Sequence, residues 1–220
     1  MDREAALALC PALCRALAEL EIYENLLRRW QAKINLVAEP SLATIWTRHF
    51  ADSAQLLESF PKIGAWADLG SGAGFPGMVL AILLKRRPGA VVHLIESDQR
   101  KAAFLRAVSR ETGAPAVIHV GRIEHELPLL VGALGGIWAR ALAPLPQLVD
   151  WSRDHLLKNA VGVFLKGEDW GGELTALEAE SSLQTRSIVS RTNPAARLIA
   201  VARDFGAHPE RMESCDRESL

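Results

Sequence analysis

The stretch that decides the fold is residues 66–77, which read Trp66-Ala67-Asp68-Leu69-Gly70-Ser71-Gly72-Ala73-Gly74-Phe75-Pro76-Gly77. An apolar strand ends here in a carboxylate and passes into a turn with glycine at alternate positions. Glycine lets the backbone approach a ligand through dihedral angles that other residues avoid, and Pro76 pre-sets the first turn of a helix. The pattern indicates a nucleotide-cofactor loop that leads into a helix continued by Met78–Leu84.

Two classes of cofactor use such a turn. Gly72, Gly74 and Gly77 have the spacing that places a dinucleotide pyrophosphate on a helix N-terminus. Asp68 favours the other class, because a carboxylate at the strand end would repel pyrophosphate and attract a cation. S-adenosylmethionine carries an ammonium and a sulfonium and has no phosphate. We therefore predict S-adenosylmethionine, with Asp68 and Gly72 among its contacts.

A second carboxylate follows the next strand. The apolar run Ala90–Ile95 ends in Glu96, about twenty residues beyond the glycine turn, where a carboxylate can accept both ribose hydroxyls. Both cofactor classes contain ribose, so Glu96 supports a cofactor site without choosing between them. The alternative is a tight strand-to-helix turn that binds nothing. Three alternating glycines and two strand-end carboxylates favour the cofactor site.

Length and composition limit the other possibilities. A chain of 220 residues with 49% hydrophobic content is long enough for one α/β domain with a modest extension. The net charge of −1 excludes a global basic field, so any RNA contact must come from a local patch of Lys and Arg.

The cysteines and the N-terminus indicate an intracellular protein. Cys10, Cys14 and Cys215 form no C-x-x-C pair and have no nearby histidine, so we expect reduced thiols and no metal site. The N-terminus lacks a basic region, and no apolar run reaches about eighteen residues. We expect a cytoplasmic monomer with no membrane contact.

Helical and strand-like patterns divide the chain into three parts. Residues 1–60 read as a helical extension, in which Pro11 begins a first helix and Ser41 caps a third that runs to about Leu57. Residues 61–206 alternate strands and helices, which means parallel strands with crossover helices. Their last two strands flank Thr192-Asn193-Pro194, as a hairpin would, and this makes one strand antiparallel. Residues 207–220 are polar enough for a disordered tail.

Several ordered motifs together resemble a known family. They are Ile34-Asn35-Leu36, Arg48-His49-Phe50-Ala51-Asp52-Ser53, the glycine turn, Arg100-Lys101-Ala102-Ala103-Phe104-Leu105, Arg140-Ala141 and Leu165-Lys166-Gly167. From about Tyr23 to Phe205 the chain resembles the glucose-inhibited division protein B family, the bacterial ribosomal RNA small subunit methyltransferases G. The resemblance implies an S-adenosylmethionine-dependent enzyme that methylates N7 of a guanine in 16S rRNA. It also implies an α/β fold with a Rossmann-like, mostly parallel sheet of seven strands and an antiparallel last strand.

The chain departs from the family pattern at three positions. Val37 stands where the family usually has Thr, Glu96 replaces the commoner Asp, and Gly135 stands where an acidic residue often precedes Arg140. Glu96 keeps the carboxylate, so ribose binding should survive. Gly135 could alter the rim of the active site.

The resemblance also assigns cofactor contacts to Gly70, Phe75, Ile123, Glu124 and Arg140, of which Arg140 would also be catalytic. Phe75 offers an apolar wall, and residues 123–124 would lie near the adenine edge above the strand ends. Arg140 could meet the cofactor carboxylate or the incoming nucleotide. The alternatives are core packing for Ile123, a helix-start acid for Glu124 and a surface cation for Arg140.

Candidate RNA-facing residues are Arg48, His49, Lys101, Arg106 and Lys166. Arg48 and Asp52 have i,i+4 spacing, so a surface ion pair is an equally good interpretation. His49 could be a packed core histidine. Lys101 and Arg106 fall on a predicted helix whose solvent face would carry charge in any case.

The expected chemistry needs no acid or base. Guanine N7 has a free lone pair, so no proton has to be removed before the methyl group is accepted, and positioning and electrostatics suffice. Three other functions stay open at this point. They are a methyltransferase for small molecules or proteins, an NAD-binding oxidoreductase, and a binding module without activity.

Overall fold

The computed structural model describes residues 1–60, 62–168, 170–180 and 182–207, in which seven strands form one sheet. The strands are β1 Ala65–Leu69, β2 Val91–Glu96, β3 Ala116–Val120, β4 Gly136–Arg140, β5 Val161–Lys166, β6 Gln184–Val189 and β7 Arg197–Ala202. Their order is β3-β2-β1-β4-β5-β7-β6. Strands β1 to β5 pair in parallel, and β7 is antiparallel to both neighbours. The predicted α/β fold with an antiparallel last strand is confirmed.

Helices cover both faces of the sheet. They are α1 Asp2–Leu9, α2 Leu17–Gln31, α3 Asp52–Ser59, α4 Gly77–Leu84, α5 Gln99–Thr112, α6 Ile123–Glu126, α7 Leu145–Leu157 and α8 Trp170–Glu180. In the ranges that the structure describes, no helix has the length and apolar character needed to cross a membrane. The predicted tail falls almost wholly on residues 208–220, which lie outside the described residues, as does Cys215.

The wholly apolar sequence of helix α4 matches its buried position. All of its residues except Leu83 are buried, because it packs between the sheet and the N-terminal helices. A helix that is apolar on every side is suited to that position. Helix α5 is amphipathic instead, and it begins where the Asp98 side chain accepts hydrogen bonds from two backbone amides and ends at Gly113, which has a φ of +66°.

Two hydrophobic cores lie on opposite faces of the sheet. One packs α1, α2, α3, α4 and α5 against it, and the other packs α6, α7 and α8. Trp66 and Trp138 stack in the first core with ring centroids 4.2 Å apart. A Cβ on Gly136 would come within 2.1 Å of the Trp66 ring, so only glycine lets β4 lie beside this tryptophan. The N-terminal helices share the first core with the sheet, so that core does not divide at residue 60. The division of the chain into domains at that residue stays a prediction.

The N-terminal part is less regular than the sequence pattern predicts. Residues Pro11–Ala16 form a 3₁₀ helix before α2, and the predicted third helix divides into a 3₁₀ segment Glu39–Thr44, a π-helix Trp46–Ala51 and α3. Ser41 is therefore not a helix cap. It lies inside the 3₁₀ segment, and its Oγ donates to the Ala38 carbonyl at 2.7 Å. Apolar spacing alone does not separate these three helix types, because each differs from the next by less than one residue per turn.

The π-helix is capped by a residue from the beginning of the chain. Asp2 Oδ2 accepts from the Trp46 amide at 2.9 Å, and Asp2 Oδ1 accepts from the Thr47 amide at 3.2 Å and from the Thr47 hydroxyl at 2.5 Å. A carboxylate that satisfies unpaired amides at a helix start stabilises that start. Helix α1 thereby fixes the position of the π-helix.

Replacing Asp2 with Ala should lower the free energy of unfolding by about 1 kcal/mol, because two amides at the start of the π-helix lose their acceptor. Urea denaturation followed by circular dichroism measures this change. Glu4→Ala is the matched control on the same helix, since the Glu4 side chain is 85% exposed. We expect that control to stay within about 0.5 kcal/mol of the wild type. Equal values for both variants would contradict the capping role.

Candidate functional site

The glycine turn lies at the carboxyl edge of the sheet, where the strand order reverses between β1 and β4. Ligands of open α/β sheets bind at this kind of reversal. Gly70, Gly72 and Gly74 have φ angles of +63°, +56° and +91°, which favour glycine. A Cβ on Gly74 would lie 2.6 Å from the Tyr23 hydroxyl, whereas a Cβ on Gly72 would have only the Gly70 carbonyl within 4 Å, at 3.8 Å. The turn is therefore tight against the protein at Gly74 and open at Gly72.

Asp68, near the end of β1, forms hydrogen bonds with two residues of the glycine turn. Its Oδ2 accepts a hydrogen bond from the Gly77 amide at 3.1 Å, and the Ser71 hydroxyl donates to the Asp68 carbonyl at 3.1 Å. The side chain is buried, and its Oδ1 has no hydrogen-bond partner among the described residues. Burial raises the pKa of Asp68 to about 7. One buried carboxylate oxygen therefore remains able to accept a donor from a ligand.

Glu96, the last residue of β2, forms a hydrogen bond with the middle of the glycine turn. Its Oε2 accepts from the Gly72 amide at 2.7 Å, and its Oε1 accepts from the Asp98 amide at 2.8 Å. Each carboxylate oxygen has two lone pairs, so both can still accept a hydroxyl. The replacement of the family's commoner Asp by Glu thus keeps a fixed carboxylate at the end of β2.

Arg140, at the end of β4, contacts the N-terminal part of the chain. Its Nη1 lies 3.3 Å from Asp52 Oδ2 and donates to the Arg48 carbonyl at 3.3 Å, while Nη2 donates to His49 Nδ1 at 3.1 Å. The guanidinium carbon also lies 5.4 Å from the centroid of the Phe75 ring. Arg140 therefore joins the π-helix to the glycine turn.

The His49 ring stacks on Phe75, with centroids 4.6 Å apart and an interplanar angle of 14°. Its Nε2 lies 2.9 Å from Ser41 Oγ. Burial, followed by the charges of Arg140 and Arg48, lowers the pKa of His49 to about 3. The ring is therefore uncharged at neutral pH, and only 6% of the residue is exposed.

A cleft of about 770 Å³ opens beside Arg140, between the N-terminal segment and the ends of β4, β5 and β7. The cleft is lined by the charged residues Asp2, Arg48, Asp52, Arg140, Lys166 and Arg197 and by the uncharged His49. Three of the five predicted RNA-facing residues, Arg48, His49 and Lys166, are thus brought together. Lys101 and Arg106 lie on α5 and do not line the cleft. Arg197, the first residue of β7, also lines the cleft and was not predicted from the sequence.

The ion pair between Arg48 and Asp52, the alternative to RNA contact by Arg48, does not form within the described residues. Asp52 pairs with Arg140 instead, and its Oδ1 accepts from the Thr192 hydroxyl at 2.6 Å and from Nε2 of the Gln55 side chain at 2.9 Å. Both carboxylate oxygens of Asp52 thus have partners from other parts of the structure. Arg48 stays exposed and faces the cleft.

Lys166 is largely covered. Its Nζ forms an ion pair with Glu173 at 2.7 Å and donates to the Ala143 carbonyl at 3.0 Å, which leaves 13% of the side chain exposed. Any contact of Lys166 with a ligand must therefore compete with Glu173.

Ile123 and Glu124 begin α6, just after β3. Ile123 is buried in the core on the α7 side of the sheet, whereas Glu124 is exposed. The Gly121 amide donates to the Glu96 carbonyl at 3.2 Å and ties this segment to the end of β2. Ile123 thus has a packing role, and the contact of both residues with a cofactor stays a prediction.

Tyr23, the only tyrosine in the chain, contacts the glycine turn and was not among the residues predicted for the site. Its hydroxyl donates to the Ala73 carbonyl inside the glycine turn, and its ring stacks on Phe75 with centroids 5.3 Å apart. Tyr23 lies on the buried face of α2, and no local sequence pattern indicates this hydrogen bond.

The fold is Rossmann-like, and solved methyltransferases share it. A methyltransferase from Geobacter sulfurreducens has this fold with a TM-score of 0.58 at 13% identity, covering 85% of this chain and 89% of its own. The O-methyltransferase TomG from Streptomyces achromogenes, solved in complex with S-adenosylmethionine, has a TM-score of 0.56 at 17% identity. That match covers 93% of this chain and 100% of the other. At these identities the likeness shows the fold alone.

Sequence comparison gives the family. A family model described as rRNA small subunit methyltransferase G matches residues 16–198. A ribosomal RNA small subunit methyltransferase G from Bradyrhizobium sp. strain BTAi1 is 44% identical over 200 residues, covering 91% of this chain and 90% of the relative. One from Methylobacterium sp. strain 4-46 is 44% identical over 202 residues, covering 91% and 95%. The chain belongs to the rRNA small subunit methyltransferase G family, which confirms the resemblance and the enzyme class expected from the sequence.

The raised pKa of Asp68 predicts a pH-dependent stability. A carboxyl group whose pKa rises from 3.8 to about 7 on folding makes the protein lose stability as pH increases through that window. Asp68→Asn removes the titrating group. The unfolding free energy of this variant minus that of the wild type should therefore increase by roughly 2 kcal/mol between pH 5 and pH 8.

Denaturant titrations at the two pH values measure this difference, and Asp98→Asn is the control. Backbone amides of Lys101 and Arg100 lower the pKa of Asp98, so its carboxyl is ionised at both pH values and the difference should stay constant. A constant difference for Asp68→Asn as well would show that Asp68 ionises normally.

Proposed function

We propose that this enzyme transfers a methyl group from S-adenosylmethionine to N7 of one guanine in bacterial 16S rRNA. Membership of the family supports the rRNA substrate. The structural observation that carries the proposal is the contact of Arg140 and His49 with Phe75, because the first two line the cleft and the third belongs to the glycine turn. A nucleotide in the cleft would thus lie next to a cofactor at the turn.

S-adenosylmethionine is the cofactor, and the residues at the turn fit it. Asp68 offers a buried carboxylate oxygen without a partner among the described residues, and Glu96 is fixed by two amides with lone pairs to spare. Carboxylates favour a cationic ligand and disfavour a phosphate. The proposed contacts are Asp68, Gly70, Gly72, Phe75, Glu96, Ile123, Glu124 and Arg140. When bound, the cofactor supplies a methyl group on a positively charged sulfur.

Methyl transfer to guanine N7 does not require the protein to move a proton. Guanine N7 carries a lone pair, so no side chain has to act as a base. His49 is uncharged at neutral pH and has both ring nitrogens in hydrogen bonds, so it is a poor candidate for an acid. Arg140 can donate to guanine O6, on the base edge by which proteins recognise guanine. We assign Arg140 as the catalytic residue through this orienting contact.

The cleft supplies the local positive patch that a chain of net charge −1 needs. Arg48 and Arg140 line it, and Lys166 can join them if RNA displaces Glu173. Its volume of about 770 Å³ falls in the range of sites that bury a small molecule, which suits one nucleotide splayed out of the RNA. Lys101 and Arg106 would contact RNA outside the cleft. We place the enzyme, as a monomer, in the cytoplasm with 16S rRNA or the small subunit as its partner.

Transfer of labelled methyl groups to small ribosomal subunits tests the substrate. Subunits that lack the modification should accept about one methyl group each, and reduction followed by aniline should then cleave their 16S rRNA at a single guanine. Subunits from cells that carry the modification are the control and should accept none. Label in protein, in small metabolites or in adenine would refute the substrate and leave the cofactor assignment intact.

Gly72→Val tests the cofactor site. The side chain would occupy the open side of the turn, and the φ of +56° would become strained, so S-adenosylmethionine affinity should fall at least about tenfold. Gly89→Val is a matched control, because Gly89 has a φ of +72° and lies at the other end of β2, where a Cβ would have nothing within 4 Å. Calorimetry should find wild-type affinity in the control. Equal losses in both variants would mean that strain alone, and not the site, accounts for the effect.

A further inference from the structure

The Arg140 guanidinium is held by acceptors from one short stretch of chain. Nη1 donates to both the Arg48 carbonyl and Asp52 Oδ2, each at 3.3 Å. Nη2 donates to His49 Nδ1 at 3.1 Å. The two acceptors of Nη1 hold one end of the guanidinium group. The bond from Nη2 to His49 holds the other end and so sets the orientation of the guanidinium plane.

The hydrogen bonds around His49 determine its tautomer. Arginine only donates, so Nδ1 must present a lone pair, and a neutral ring then carries its proton on Nε2. Nε2 lies 2.9 Å from Ser41 Oγ, which can accept because its own proton goes to the Ala38 carbonyl at 2.7 Å. Donors and acceptors match along the whole series from Arg140 to Ala38. A second proton on the ring would oppose the Arg140 donor, in agreement with the low pKa of His49.

The surroundings also prevent the ring from turning. One ring face stacks on Phe75 at 4.6 Å, and both nitrogens are bonded at opposite edges. The backbone is held as well, since the Ser53 hydroxyl donates to the His49 carbonyl at 2.6 Å. With 6% of the residue exposed, little of His49 can reach a ligand directly. Its contribution must therefore pass through a neighbour.

We propose that His49 is a positioning residue whose unprotonated Nδ1 orients Arg140 at the boundary between the cleft and the glycine turn. The proposal rests on the role assigned to Arg140 in methyl transfer. It differs from the sequence expectation that His49 contacts RNA. It also gives Ser41 a function, because the Ser41 hydroxyl selects the tautomer that leaves Nδ1 free to accept.

Two amide variants separate orientation from packing. The side-chain oxygen of His49→Asn lies near the position of Nδ1 and can accept from Arg140, whereas His49→Gln extends toward Ser41 and leaves Arg140 without this acceptor. Both lose the ring and its stacking on Phe75, so both should lose similar thermal stability. We expect kcat to fall about tenfold or more in His49→Gln, as in Arg140→Ala, and to stay within about threefold of wild type in His49→Asn.

The pattern of the kinetic constants decides between roles. In the Arg140→Ala background, the Asn and Gln variants should have equal rates, because the group that they orient is gone. KM for the ribosomal subunit should change little in either variant. A raised KM with unchanged kcat would show direct RNA contact, and equal kcat losses in the Asn and Gln variants would show a purely structural ring. Either result would overturn the proposal.

The tautomer of His49 can be measured without substrate, so its result does not depend on whether the proposed function is correct. Long-range ¹H–¹⁵N spectra of the histidine rings should show His49 with a protonated Nε2 and an unprotonated Nδ1 at neutral pH. A proton on Nδ1, or a doubly protonated ring, would refute the positioning role whatever the substrate is. Full activity of Arg140→Ala would instead contradict the proposed catalytic role of Arg140, even with the expected tautomer.

Discussion

Two buried carboxylates hold the glycine turn, and the rest of the site depends on them. Asp68 accepts from the Gly77 amide at the start of α4, and Glu96 accepts from the Gly72 amide in the middle of the turn. Without these acceptors both amides would lack a partner in a turn where Gly72 has a left-handed conformation that glycine adopts readily. Because the strand ends of β1 and β2 supply both acceptors, the sheet itself shapes the loop before any ligand binds. A preformed loop spares the cofactor the cost of ordering it.

The N-terminal helices also contact the glycine turn. Tyr23 on α2 donates to the Ala73 carbonyl of the turn, and the rings of Tyr23 and His49 both stack on Phe75. Asp2 on α1 caps the π-helix that carries His49. The extension therefore contacts the glycine turn and forms one wall of the cleft, and it shares a hydrophobic core with the sheet.

Burial and pairing limit how the charges of the cleft can act. His49 is uncharged, Arg140 is paired with Asp52, and Lys166 is paired with Glu173. A cation that already has a carboxylate partner gives less attraction to a distant phosphate and more precise placement of its own donors. In a protein with a net charge of −1, this arrangement favours directed hydrogen bonds over general attraction to a polyanion.

The sequence by itself determined the α/β fold, the family and the cofactor class, because these depend on local patterns. Alternating apolar runs define strands and helices, and glycines and strand-end carboxylates lie within about thirty residues of each other. The tertiary structure alone decided which charges meet. Arg140 and Asp52 are 88 positions apart, and Thr192 reaches Asp52 across 140. Such contacts depend on how the π-helix packs on the sheet edge and on the hairpin, and no local periodicity encodes that packing. Local spacing therefore suggested Arg48 as the partner of Asp52, while the packed chain selected Arg140.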